Sequence, residues 1–350
     1  MQNLSGKAKP GGLLRSWVGY IGGTIMFETP LTQMLGIEYP IIQGGLHWLA
    51  RAELVSAVSE AGGLGILSSL TFPDQKSLRN EIRRVREMTK KPFGVNLSML
   101  PELGEGDRTE EILEVLLEEK VPVVETSGRS PEPFIGRLKQ EGIKLIHKVP
   151  SVRFARKAEA IGADAVAVVG FECGGHPGMD EVTSLVLIPK AARSLRIPVI
   201  AGGGICDARG FVAALALGAQ AVVMGTRFLL THECPVHPKI KERLLQATET
   251  DTMIIQRSIR NAVRALRNKA AERTLSMEEK GASLQELMTV ISGRMSREAY
   301  LEGDFDSGII PCGQCIGLIE GMKSVREVIE ETIEGARALL GRLSSMTIPS

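Results

Sequence analysis

The sequence predicts an α/β protein: a (β/α)₈ barrel with a small helical domain inserted after the eighth strand. Three observations carry this. Eight short apolar segments alternate with amphipathic ones between Pro40 and Met224, about 190 residues, which is the strand and helix count of a closed barrel. The run Asp164-Ala165-Val166-Ala167-Val168-Val169 leads straight into Gly170-Phe171-Glu172-Cys173-Gly174-Gly175-His176-Pro177-Gly178. That is a buried strand delivering a glycine-rich loop that carries a carboxylate, a thiol and an imidazole. The doubly wound alternative needs a Gly-x-Gly-x-x-Gly turn near its start. None occurs, and Gly44-Gly45 is not one.

The elements follow in order. Ile41-Ile42-Gln43 is a short strand, and Ala50 to Ala61 a helix stopped by Gly62-Gly63. Leu64 to Leu67 is the second strand, and Asp74 caps a helix running to about Met88. Pro92 to Asn96, Pro122 to Glu125 and Lys144 to His147 are the next strands. Helices follow them from about Thr109 to Glu119, from Ser130-Pro131 onward, and from Ser151 to Ile161. The sixth strand precedes the glycine-rich loop. A helix from Thr183 to Leu195, kinked or restarted at Pro189, leads to the seventh strand at Pro198 to Ala201. Asp207 to Leu217 is helical, and Ala221 to Met224 is the eighth strand.

Beyond it the pattern changes. Residues 235–312 are rich in Arg, Lys, Glu and Met at helical spacing and show no strand signal, so they read as a helical insert or lid. Ser324 to Leu343 is a long amphipathic helix that returns to the barrel. The barrel is thus expected over 27–234 and 313–345, and 1–25 as a disordered leader without periodicity.

The composition is 43% hydrophobic, with 42 Lys and Arg against 41 Asp and Glu. Such a balance offers no nucleic-acid footprint and no polybasic membrane surface. No apolar run is long enough to span a bilayer. Five scattered cysteines are too few for a secreted disulfide framework and fit a reducing, cytoplasmic setting. A small-molecule substrate and, as a candidate assembly, a homodimer remain.

Two strand ends read as a phosphate site. Gly202, Gly203 and Gly204 follow the seventh strand; Met224, Gly225 and Thr226 follow the eighth. Loops at these positions of a barrel commonly bind phosphate through backbone N–H groups. Gln43, Gly44, Gly45 and Leu46, with Ser68, Asn96 and Lys148, put amide, hydroxyl and ammonium groups at the ends of other strands. Together they would line a pocket for a flat heterocycle, with Lys148 near an electron-accepting ring.

The stretches around Gln43-Gly44-Gly45, Gly170 to Gly178, Ala201 to Ile205 and Met224 to Phe228 resemble the FMN-dependent nitronate monooxygenase family over roughly residues 27–345. The resemblance implies FMN on a barrel, oxidation of alkyl nitronates with dioxygen, and His176 as the catalytic residue beside Gly175. It also implies a flavin contact at Gly313-Gln314. The loop is closest to the family's NADH:quinone reductase branch. Cys173 and Pro177 stand where typical members carry Ala and Arg, so hydride transfer from NAD(P)H to a quinone is the alternative. Flavin-dependent enoyl reductases share the architecture.

Cys173 also invites comparison with barrels that convert purine nucleotides through a nucleophilic cysteine, but Glu172 and His176 match the flavin pattern better. Cys312-Gly313-Gln314-Cys315 lacks a second pair of zinc ligands and a thioredoxin-like context. His232 and His237 flank Cys234 in a Pro-broken loop, weak grounds for a metal. No metal is expected.

Overall fold

Helix and strand periodicity is enough to build the ring. The computed structural model describes residues 18–21, 24–99 and 107–346. A short antiparallel hairpin, β1 (Val18–Ile21) and β2 (Thr24–Phe27), comes first. It lies in and just after the stretch expected to be a leader without periodicity, the rest of which falls outside the described residues. Helix α1 (Pro30–Leu35) follows, then the barrel repeats: β3 (Ile41–Gln43), α2 (Ala52–Glu60), β4 (Leu64–Ser68), α3 (Gln75–Met88), β5 (Phe93–Met99), α4 (Thr109–Glu118) and β6 (Val123–Gly128). They continue with α5 (Glu132–Gln140), β7 (Lys144–Val149), α6 (Val152–Ile161), β8 (Ala165–Val169), α7 (Ser184–Ser194), β9 (Val199–Gly202), α8 (Ala208–Ala216) and β10 (Ala221–Met224). Strands β3 to β10 pair in parallel and close on themselves, β10 against β3. Helix α7 runs through Pro189 without the expected restart.

After β10 come α9 (Thr226–Leu229), α10 (Pro238–Leu245), a hairpin of β11 (Thr252–Ile255) and β12 (Val263–Leu266), then α11 (Lys269–Glu279), α12 (Leu284–Ile291) and α13 (Gly293–Glu302). The last helix, α14 (Val325–Ser345), packs against α8 and α2 as the outer helix that completes the ring. The insert therefore corrects the expectation of an all-helical domain. Thr252-Met253-Ile254-Ile255 and Val263-Arg264-Ala265-Leu266 are β-prone runs around a seven-residue loop, and their pairing overrides the helical composition around them.

Side chains divide the interior into three cores. Ile42, Leu64, Ile66, Val123, Ile146, Ala165, Ala167 and Ile200 fill the barrel, and Leu31 and Leu35 of α1 join them where the strands begin. A larger shell, including Leu54, Val55, Ile82, Leu113, Leu116, Phe211 and Ile329, lies between strands and helices. The insert has its own cluster around Met253, Ile255, Val263, Ala271 and Val290. With one end of the barrel plugged by apolar groups, polar chemistry is confined to the end where the strands stop.

Candidate active site

At that end a cavity of about 870 Å³ opens, within the range of small-molecule sites. Its wall holds thirteen of the residues that the sequence singles out: Gly44, Gly45, Leu46, Ser68, Asn96, Lys148, Gly175, His176, Gly202, Gly203, Gly204, Gly225 and Thr226. Three others lie off it. Gln43 is fully buried between strands, its Oε1 accepting from the Ile66 N–H at 3.2 Å, so it ties β3 to β4. Met224 is core, with its carbonyl accepting from the Gly44 N–H at 3.1 Å. Gln314 is tied by its backbone to the loop after β8, its N–H donating to the Glu172 carbonyl at 3.0 Å.

The loop 170–178 is held from several sides. Arg264 of β12 pairs with Gly175 in both directions: the Gly175 N–H donates to the Arg264 carbonyl at 3.0 Å, and the Arg264 N–H to Gly175 at 2.7 Å. The Arg264 guanidinium donates through Nε and Nη2 to the Phe171 carbonyl at 3.1 and 3.0 Å, and through Nη1 to Thr252 Oγ1 at 2.9 Å. Any Cβ at Gly174 would sit 2.7 Å from the Cys312 carbonyl carbon and the Gly313 nitrogen, so only glycine lets these two segments touch.

Glu172 turns away from proton-transfer chemistry. Its carboxylate accepts from the Ser184 N–H at 3.0 and 3.1 Å and from Ser184 Oγ at 3.0 Å, covering the N-terminus of α7. Ser184 Oγ also lies 3.0 Å from the Gly203 carbonyl, so this cluster joins the His176 loop to the glycine turn after β9.

His176 lines the cavity and is an exposed residue there. The surrounding protein, with Lys148 nearby, lowers its pKa to about 4. The imidazole is therefore neutral near pH 7 and free to accept a hydrogen bond or a proton. Burial pushes the Cys173 thiol up to about 12, which removes the thiolate a nucleophilic cysteine would need. All five cysteines are buried and unpaired. Cys206 Sγ contacts the Cys315 carbonyl at 3.6 Å, and Cys312 is held up at about 12 by burial. Among the described residues, no group of His, Cys, Asp and Glu could hold a metal ion, and no helix is long and apolar enough to cross a membrane.

The wall holds further residues, of which Glu125, Lys157, Arg260, Met288, Ile291 and Ser296 escaped the sequence reading. Glu125 of β6 is almost wholly buried, and its Oε2 accepts from Asn96 Nδ2 at 2.7 Å. Trp48, with His47 stacked on it at 4.3 Å, and Met288, Ile291, Ser296 and Tyr300 of the insert cover the far side. Lys157 and Arg260 also line the wall and make no ion pair among the described residues. The missed hairpin carried a usable signal in its β-prone runs; Glu125 carried none beyond its place at a strand end.

A closed parallel barrel with its polar cavity at the strand ends, a glycine-lined turn after β9 and an imidazole loop after β8 defines a barrel enzyme. The comparisons sharpen that class. The family model described as "Nitronate monooxygenase" matches residues 28–335, and the chain belongs to that family of oxidoreductases. It is 34% identical, over 91% of its length and 99% of the relative's, to a Mycobacterium tuberculosis protein named "(3aS,4S,5R,7aS)-5-hydroxy-7a-methyl-1-oxo-octahydro-1H-indene-4-carboxyl-CoA dehydrogenase". It is 33% identical to a "Probable nitronate monooxygenase" of Staphylococcus aureus, over 69% of this chain and 79% of that one. The solved structure of FabK from Thermotoga maritima superposes with a TM-score of 0.86 at 40% identity, covering 91% of this chain and 99% of that one.

Proposed function

We propose that this protein is an FMN-dependent oxidoreductase. The carrying observation is the glycine turn at the end of β9. Gly203 and Gly204 adopt φ of +94° and +73°, and a Cβ at 203 would meet the Gly170 backbone N and O at 3.0 Å. Such a turn exposes backbone N–H groups and favours a phosphate. Thr226 Oγ1 accepts from the Gly313 N–H at 2.9 Å, which leaves its own hydrogen to donate. The residues fit FMN: Gly202 to Gly204, Gly225 and Thr226 would hold the phosphate, and Lys148 would stand by the ring. Bound FMN supplies reversible two-electron chemistry. The chain's own part is to hold a neutral His176 at the cavity, where it orients substrate or takes a proton, and to exclude water with Trp48 and the insert.

The substrate we propose is a small organic acid carried as a CoA thioester. The name of the mycobacterial relative supports this, as do Lys157 and Arg260, two cations without an ion pair among the described residues and suited to a phosphorylated handle. Oxidation of an alkyl nitronate by dioxygen is the second reading, supported by the family's description and the staphylococcal relative's name. The visible spectrum of the purified protein tests the cofactor; a colourless protein that takes up no FMN overturns the proposal. Anaerobic bleaching by an acyl-CoA, an alkyl nitronate or NADH then separates the substrates. Bleaching by nitronate and by no thioester would replace the first reading with the second.

A further inference from the structure

Glu125 is an unusual group to find in a barrel mouth. It is 1% exposed, it lines the cavity, and no cation pairs with it among the described residues. Asn96 Nδ2 donates to its Oε2 at 2.7 Å, and Oε1 has no hydrogen-bond partner among the described residues. Oε1 is not among the sealed side-chain atoms left without a partner, so it opens on the cavity, where a donor on a ligand can reach it.

Its position says which ligand. Strand register sets Ser68 of β4 beside Asn96 of β5, and Asn96 beside Glu125 of β6, so the three form one polar row across the mouth. Lys148 of β7 lies one strand further, on the same wall. The glycine turn and Thr226 stand at β9 and β10, and β6 is four strands round the ring from β10. A flavin whose phosphate sits at β9 and β10 must extend its ring away from that point, towards this row.

The pyrimidine edge of an oxidised flavin carries one N–H donor, at N3, between two carbonyl acceptors. The row offers the complement: one acceptor at Glu125, with N–H donors at Asn96 directly beside it and at Lys148, two residues further along the next strand. We infer that Glu125 accepts the hydrogen bond from the flavin N3–H and so fixes which way the ring lies in the cavity. This rests on the FMN reading and adds to it the residue that recognises the ring.

The test uses the full chain stripped of flavin and titrated with FMN or with 3-methyl-FMN, which lacks the donor. The wild type should bind FMN roughly 10- to 100-fold more tightly than 3-methyl-FMN, the worth of a hydrogen bond to a charged group. Glu125→Ala should lose most of that preference, chiefly by weakening FMN binding. Glu125→Gln keeps an acceptor oxygen and should retain part of it, which guards against a fold defect in the alanine variant. Equal discrimination by wild type and Glu125→Ala would overturn the assignment while leaving the FMN reading intact. So would equal weakening of both ligands in the variants. If the wild type bound neither ligand, the FMN reading would fall and this inference with it.

Discussion

Two glycine-rich segments face the same cavity, and they are held in different ways. The turn at Gly202 to Gly204 is held by the barrel: β9 ends in it, and Ser184 and the Gly170 backbone pack on it. The nine-residue loop at Gly170 to Gly178 is too long for one strand end to fix. It borrows a backbone pairing from β12, two guanidinium hydrogen bonds from Arg264, and a close approach of residues 312–313. A barrel strand can aim a short turn by itself. A long loop carrying the proposed catalytic side chain, His176, needs a second layer, and here the insert provides it. The insert thus reads as a brace for the His176 loop as much as a cover for the cavity.

The sharpest break of this contrast is on the barrel's side. Gly203→Ala would force a left-handed alanine and press its Cβ on backbone atoms 3.0 Å away that cannot move aside. The strain amounts to roughly 3 kcal/mol, so FMN affinity should fall by about 100-fold or more. Titration of the variant with FMN checks this, and near-normal binding would remove the phosphate assignment. On the insert's side, Arg264→Ala should cost roughly 2–3 kcal/mol of stability from the lost charged hydrogen bonds. It should lower turnover while leaving bound flavin near the wild-type amount. Thermal melts and flavin content together decide: loss of flavin in parallel with turnover would mean that the two segments do not behave separately.

The sequence shows the first of these supports and hides the second. Strand ends with Gly202-Gly203-Gly204 or Gly225-Thr226 are local signals, because the chemistry sits within a few residues of the strand that aims it. The brace is not local. Phe171 and Arg264 are 93 residues apart, and nothing in either segment announces the other. The charged composition around 235–312 also masked the alternation in Val263-Arg264-Ala265-Leu266, where an arginine occupies a buried strand position. Glu172 misleads for a related reason. A carboxylate beside a thiol and an imidazole suggests proton transfer, whereas its partner is the start of a helix 12 residues on.

A smaller effect lies in the barrel wall. Burial lowers His147 to about 4, with Nδ1 2.8 Å from Thr126 Oγ1. A histidine held below its unfolded value of about 6.5 keeps the native state at its most stable above that pH. That contribution is lost as pH falls from about 6.5 towards 4, because the unfolded chain then binds a proton the native one does not. Denaturant melts at pH 7 and pH 5 should differ by about 1–2 kcal/mol more in the wild type than in His147→Gln. An identical pH dependence in the two proteins would mean that His147 is readily protonated in the native barrel.

The mildest change, Glu172→Gln, separates scaffold from chemistry inside the His176 loop. The amide keeps the shape and one acceptor oxygen for the Ser184 N–H. It loses the negative charge at the start of α7 and the second acceptor that Ser184 Oγ uses at 3.0 Å. Charged hydrogen bonds are roughly twice as strong as neutral ones, so the loss should be about 1 kcal/mol. Turnover should fall only modestly, since His176 stays anchored through Gly175 and Arg264. A group that moves a proton in the reaction behaves differently: its removal costs roughly 10²–10⁴-fold in rate with little change in stability. Paired measurements of unfolding free energy and turnover on this one variant tell the two roles apart. A large rate loss at unchanged stability would put Glu172 among the reacting groups, and the division between a braced loop and a self-held turn would have to be redrawn around it.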